Sequence, residues 1–169
     1  QDLGNTPGVA LTLGNIGIDH DRLGAYARAL DSLEEARKLL QDLGDRAGVT
    51  RVVASLGDVH EHVGADAKAL EMRERALGLA EDLGYRRLQA KILGDLGNSH
   101  RRLGAHARAL EFQRRAMTMR QSLGDRAGVA VALGCMGSLY TDLGDYAKAL
   151  EFDAQALRLH EDLGNQAEV

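Results

Sequence analysis

The sequence predicts an all-α chain of about four helix-turn-helix repeats, on three observations. The first is a period of 40 residues: QDLGNTPGV at 1–9 returns as QDLGDRAGV at 41–49, EDLGYRRLQ at 81–89, QSLGDRAGV at 121–129 and EDLGNQAEV at 161–169. A second block keeps the same period, as LGAYARAL (23–30), VGADAKAL (63–70), LGAHARAL (103–110) and LGDYAKAL (143–150). The second observation is helical spacing of the apolar residues within each period. The third is composition: one proline and no tryptophan in 169 residues, with alanine, leucine, arginine and glutamate plentiful, which favours helix over strand. A fixed period of this length marks units that bury their apolar faces by stacking on their neighbours.

In the first repeat, Val9, Leu13, Ile16, His20 and Leu23 are spaced 4, 3, 4 and 3 apart, one stripe of a helix over about 6–23. Asn5 or Thr6 is placed to cap it, and Pro7 suits its first turn, where a missing N–H costs nothing. Gly24 ends this helix A. Ala29, Leu33, Ala36, Leu40 and Leu43 form the stripe of a helix B over about 26–43. Gly44 stands where a left-handed residue closes a helix. The stripes recur as Val129, Leu133, Met136, Tyr140 and Leu143 in the fourth helix A, and as Ala109, Phe112, Ala116, Met119 and Leu123 in the third helix B. Asp45 and Asp125 are expected to cap later helices. Gly17, Gly57, Gly97 and Gly137 fall mid-helix, where glycine costs about 1 kcal/mol against alanine. Close approach of helix B, with Ala29, Ala69, Ala109 and Ala149 as the small partners, is the expected reason. The expected organisation is one solenoid over 1–169, with repeats at 5–44, 45–84, 85–124 and 125–164 and the start of a further repeat at 165–169. The chain starts and stops at one phase of the period, as a piece of a longer array would.

These residues resemble the tetratricopeptide repeat, whose pattern runs W-x2-L-G-x2-Y, A-x3-F and P. The leucine–glycine pair corresponds to Ile16–Gly17, Leu56–Gly57, Leu96–Gly97 and Met136–Gly137. The tyrosine slot holds His20, His60, His100 and Tyr140, the first alanine slot Ala29, Ala69, Ala109 and Ala149, and the next Ala36, Ala76, Ala116 and Ala156. Departures fall at the tryptophan slot (Leu13, Val53, Leu93, Leu133) and the phenylalanine slot (Leu33, Arg73, Gln113, Asp153). At the latter a large apolar residue comes one place earlier at Met72, Phe112 and Phe152. Gln41, Glu81, Gln121 and Glu161 replace the closing proline. The 40-residue form is similar to LGN/Pins-type scaffolds and to the repeat arrays of bacterial AfsR-type signalling ATPases. The resemblance implies a right-handed α-solenoid whose helices A line a concave groove, and a non-catalytic module that binds a peptide segment of a partner protein in a signalling setting.

On helix A, the side away from the apolar stripe carries the candidate groove residues. They are Asn15, Ile18 and Arg22, then Arg51, Ser55, Asp58 and His62, then Lys91, Asp95, Asn98 and Arg102, then Cys135, Ser138 and Asp142. Asparagine and arginine in such a row can clamp a peptide backbone and its carboxylates. Net charge by repeat runs −2, −3, +7 and −4, which makes the third repeat a basic band. An acidic partner segment near Lys91 and Arg102 would suit it, while Glu74, one period before Arg114, and Glu71 offer local neutralisation. The net charge of −4 and the lack of aromatics among the arginines speak against nucleic acid.

No apolar run approaches the ~18 residues of a membrane span. Cys135, the lone cysteine, fits a reducing compartment, and a cytoplasmic setting without a leader peptide is expected. No catalytic, cofactor or metal motif is present in the sequence: there is no HExxH, CxxC or phosphate loop, and the histidines at 20, 60 and 100 read as edge-of-core packing. Two alternatives to the peptide-binding module stay open. One is an assembly module stacking end to end through Val9, Leu13 and Ile16 against Phe152, Leu157 and Leu159. The other is a regulatory arm of a larger signalling ATPase or protease.

Overall fold

The computed structural model describes residues 6–167, with side chains through 164. Asn5, the alternative cap of the first helix, lies outside the described residues. Eight helices follow one another among them: α1 (Thr6–Arg22), α2 (Tyr26–Asp42), α3 (Arg46–His62), α4 (Asp66–Asp82), α5 (Arg86–Arg102), α6 (His106–Ser122), α7 (Arg126–Asp142) and α8 (Tyr146–Ala167). Odd helices are the predicted helices A and even ones the helices B. Their contacts group into two compact units, Gln1–Gly84 and Tyr85–Val169. In the first, α1 packs on α2, α3 on α4 and α2 on α3; in the second, α5 packs on α6, α7 on α8 and α6 on α7.

One turn device sets the spacing. At Gly44 (φ 69°) the chain enters the left-handed region, the Gly44 N–H donates to the Gln41 carbonyl at 3.0 Å, and the Asp45 N–H donates to the Leu40 carbonyl at 2.9 Å. That pair of bonds satisfies the last carbonyls of α2 and reverses the chain within three residues. Gly24 (φ 72°) does the same between α1 and α2, so each helix and its turn take 20 residues and two make one period. At Gly164 the helix does not end as it does at the other turns: α8 spans Tyr146–Ala167.

The predicted stripes form the cores in part: Val9, Ile16 and Leu23 of the first stripe, and Leu43 and Leu143 at the ends of later ones, are exposed. Ala29, Leu33 and Ala36 of α2 are fully buried, as are Val53 and Leu56 of α3 and Ile92 and Leu96 of α5. The mid-helix glycines are explained more narrowly than the sequence implied. Ala29, Ala69 and Ala109 are indeed fully buried. A side chain at Gly17, however, would first meet the Leu33 side chain at 2.6 Å, and only then the Ala29 carbonyl at 3.3 Å. Gly57 faces Arg73, Gly97 faces Gln113 and Gly137 faces Asp153. The partner of each glycine is thus the residue in the phenylalanine slot, and the alanine's contribution is to let the backbones close in.

Candidate functional site

Two kinds of position separate on the helices A and B. Gly17, Gly57, Gly97 and Gly137 are buried in every repeat, as are Ala36, Ala76, Ala116 and Ala156, and their identity never changes. Leu11, Arg51, Lys91 and Val131 are exposed in every repeat and all differ; so do Arg22, His62, Arg102 and Asp142, where only arginine recurs. Constant burial with constant identity is packing. Constant exposure with changing chemistry is a surface left free to vary. Leu11 and Val131 were missed in the sequence because they are apolar and sit beside the stripe; their register with Arg51 and Lys91 was the available signal.

Several candidate groove residues are tied down within their own unit. In unit 1, the Arg73 guanidinium, 4% exposed, donates to Asp58 at 3.0 Å and to Glu61. Burial by itself would lower its pKa, but the bonds to Glu61 and Asp58 raise it above the ordinary value, so the group stays charged. His62 Nδ1 lies 2.7 Å from Asp21 on α1, and Arg22 lies 3.7 Å from Asp19. In unit 2, the Gln113 amide donates to the Gly94 carbonyl at 3.0 Å and to Asn98 Oδ1 at 2.9 Å. Lys91 pairs with Asp95 at 2.8 Å, and Arg101 of α5 reaches Asp142 of α7 at 2.7 Å. Ser138, exposed on α7, bonds back to the Gly134 carbonyl at 3.1 Å. Cys135 is half-buried; burial pushes its thiol up, and a bond to Asn98 partly offsets that.

Asn15, Ile18, Arg51 and Ser55 come together differently. They line a cavity of about 530 Å³ in unit 1, open between α1 and α3 above α2. Its apolar walls include Leu11, Leu33, Leu40 and Val52. Gly14 keeps it open, for a side chain there would meet only Val52, at 3.9 Å. In unit 2 the residue in the Leu40 position is Arg120. Its guanidinium donates to the Gly128 carbonyl at 2.8 Å and lies 3.2 Å from where a side chain on Gly94 would begin. The space left open in unit 1 is therefore entered by the protein's own arginine in unit 2.

The end-to-end candidates divide. Val9 (49% exposed) and Ile16 (40%) lie open on α1, with Leu13 half-buried between them; Leu157 is open on α8 at 60%. Phe152 turns inward to stack on Tyr140 at 5.3 Å, and Leu159 is half-buried beside Val129. The open apolar stripe of α8 is instead Tyr146, Leu150 and Leu157. The tyrosine slot is at the edge of the core, as expected: His20, His60 and Tyr140 are half-buried, and His100 is buried against Phe112 with ring centroids 5.2 Å apart. No helix among the described residues is long and apolar enough to cross a membrane.

No curated protein matches the sequence. Solved structures do share the fold. BtubC from P. vanneervenii has a TM-score of 0.82 at 21% identity, over 92% of this chain and 64% of that one. The Rap protein complexed with competence and sporulation factor has a TM-score of 0.79 at 17% identity, over 89% of this chain and 42% of that one. A signal transduction ATPase with numerous domains from Pyrococcus horikoshii, with a tetratricopeptide repeat sensor, has a TM-score of 0.82 at 14% identity, over 94% of this chain and 25% of that one. The chain spans less than two thirds of the length of each. Tetratricopeptide repeat profiles match residues 49–122 and 129–163. With the eight helices of the described residues paired on a 40-residue period, the chain belongs to the tetratricopeptide repeat family.

Proposed function

We propose that the chain is a non-catalytic protein-interaction module that binds a peptide segment of a partner on the helix-A face. The observation that carries this reading is the contrast between invariant buried positions and variable exposed ones. The exposed set mixes arginine, lysine, histidine, aspartate and apolar residues on a rigid frame, which is what a peptide-reading surface requires. Around Lys91 and Arg102 the reading calls for an acidic segment. A Rap protein of this fold complexed with competence and sporulation factor, and an ATPase carrying a repeat sensor, support it and are compatible with a regulatory arm of a longer protein.

The test is selection of peptides from a displayed library on the intact chain, followed by affinity measurement on variants. Arg102→Glu and Lys91→Glu should weaken acidic peptides about tenfold or more while melting curves stay put. Peptides that ignore both, and are lost instead on Arg75→Glu or Arg115→Glu of helices B, would sink the reading.

A second reading, self-association, is supported by the open apolar stripes of α1 and α8. Sedimentation velocity over a wide concentration range tests it. Mass should grow with concentration and revert with Ile16→Asp or Leu150→Asp; constant monomer mass counts against it.

A further inference from the structure

The cavity of unit 1 has features that peptide binding on the helix-A face does not need. At about 530 Å³ it falls among clefts that enclose small ligands, typically ~300–1,000 Å³. An engineered apolar cavity of ~150 Å³ already takes benzene, so this one has room for a body larger than a single ring. Its walls are Leu11, Gly14 and Ile18 from α1, Leu33 and Leu40 from α2, and Val52 from α3. The polar groups on the lining are Asn15, Ser55, Asp45 and Arg51. Asp45 is engaged with the Gly48 N–H at 2.8 Å. Arg51 is exposed and has no ion-pair or hydrogen-bond partner among the described residues. An apolar space with one uncommitted cation, an amide and a hydroxyl at its edge is complementary to a single negative charge on an apolar body.

Unit 2 supplies the internal comparison. There Arg120 enters the equivalent space and satisfies its head on the Gly128 carbonyl. Residues equivalent to Leu11, Asn15 and Ile18 are Lys91, Asp95 and Asn98, so that region is polar and internally paired. Unit 1 has in place of plug and pairs leucine, isoleucine and an arginine without a partner among the described residues.

We propose that this cavity is a binding site for a small amphiphilic monoanion, an aromatic or short aliphatic body carrying one acid group. The body lies between Leu11, Ile18, Leu40 and Val52. The acid meets Arg51, with Asn15 and Ser55 as hydrogen-bond donors. The site does not depend on the peptide-binding reading, although the two share Asn15, Ile18, Arg51 and Ser55.

The test titrates the intact chain with anilinonaphthalenesulfonate, with decanoate as competitor and N-phenylnaphthylamine as the uncharged counterpart. The expected result is a single site displaced by decanoate, weakened at least tenfold by Gly14→Leu and by Leu40→Arg, with circular dichroism unchanged. Gly14→Leu keeps the test valid should Leu40→Arg fail to fold. Arg51→Glu should weaken the sulfonate about tenfold and leave the uncharged dye within twofold, and Arg120→Leu, which leaves Val131 in the Arg51 position and Lys91, Asp95 and Asn98 in the walls, should add no second site. Dye binding that persists unchanged in folded Gly14→Leu and Leu40→Arg overturns the proposal, as does failure of decanoate to compete. If peptides bearing leucine beside glutamate occupy the cavity tightly and decanoate does not, the small-anion occupant is also overturned, while the peptide-binding reading survives.

Discussion

The two units share one period and one turn geometry, yet they fill the slot beneath the helix-A glycine by different chemistry. Unit 1 uses Leu33 beneath Gly17, and beneath Gly57 an arginine, Arg73, held by Asp58 and Glu61. Unit 2 uses Gln113 beneath Gly97, bonded to the Gly94 carbonyl and to Asn98, and Asp153 beneath Gly137. An apolar, an ionic and a neutral polar solution thus occupy one place in one fold. The glycine tolerates all of them because it asks only that the partner be slim where the helices touch. What the partner does further out is then free to differ, and it decides how each helix A is tied to its helix B.

The largest expected effect follows from the ionic solution. Arg73→Ala leaves Asp58 and Glu61 without their shared cation, and breaking a buried pair from one side costs about 3–5 kcal/mol. Asp58 keeps a third of its side-chain exposure, so the lower end, about 3 kcal/mol, is expected from urea unfolding. Gln113→Ala removes neutral bonds and should cost about 1–3 kcal/mol. The comparison sharpens with the triple change Arg73→Leu, Asp58→Asn and Glu61→Gln, which copies the Leu33 solution and should return to within about 1 kcal/mol of the parent. A triple variant as unstable as Arg73→Ala would show that the ion cluster itself holds unit 1.

Next in size are the glycines. A Cβ at Gly97 would stand within 2.7 Å of the Gln113 side chain, whereas one at Gly134 meets nothing within 4 Å. Gly97→Ala should therefore destabilise by about 1–3 kcal/mol, and Gly134→Ala should stabilise by about 0.5–1 kcal/mol. In unit 1 the matching pair is Gly17→Ala, costly against Leu33, and Gly78→Ala, favourable in open space. Equal shifts at both members of a pair, read from thermal midpoints, would break the account of the slot.

How far the sequence carried the fold can be judged from these same residues. The glycine every 20 residues, the alanines and the apolar stripes are repeated, so the periodicity exposed them, and helix positions followed within a residue or two. Arg73, Gln113 and Asp153 registered in the sequence only as departures from a phenylalanine slot. Their burial and partners depend on which side chain in the opposite helix answers them, and that is not periodic. Arg120 counted toward a basic band, yet its head is spent on a backbone carbonyl inside unit 2. The cavity was hidden for the same reason: it arises from the exchange of Leu40 for Arg120 two periods apart, a difference in fill between sites of identical backbone. Among candidate groove residues, exposure was legible and pairing was not, as Asp58, Asn98 and Asp142 show.

A smaller effect concerns pH. Burial, and then the nearby Lys68, lower the pKa of His60 below the usual histidine value. The folded state of unit 1 therefore resists a proton that the unfolded chain accepts. This contribution to stability is full above about pH 6.5, the ordinary histidine value, and is lost as pH falls through it toward the lowered folded value. His60→Gln should flatten the decline in urea midpoint between about pH 7 and 5. An unchanged slope would assign that decline to other groups.

The smallest effect is at the helix starts. Asp45 in unit 1 and Asp125 in unit 2 cap α3 and α7 by accepting the N–H of Gly48 at 2.8 Å and of Gly128 at 2.9 Å. Tyr85 holds the same place before α5, with φ −80° and ψ 68° against −77° and 80° at Asp45, and makes no side-chain cap. Backbone geometry thus already suits an acid there. The third residue of the helix tunes the cap: before α8, where that residue is Lys148, Asp145 accepts its N–H only at 3.2 Å. A side chain at Gly48 or Gly128 would collide with the capping carboxylate, and at α5 that position is Leu88. Tyr85→Asp alone should gain little, because the carboxylate must turn away from Leu88. With Leu88→Gly in the background, the same change should gain about 1 kcal/mol, so a double-mutant cycle should show coupling of about 0.5–1 kcal/mol. Additive changes would mean that aspartate and glycine recur together in DRAG for separate reasons. Coupled ones would make that tetrapeptide a single capping unit, which α5 has lost.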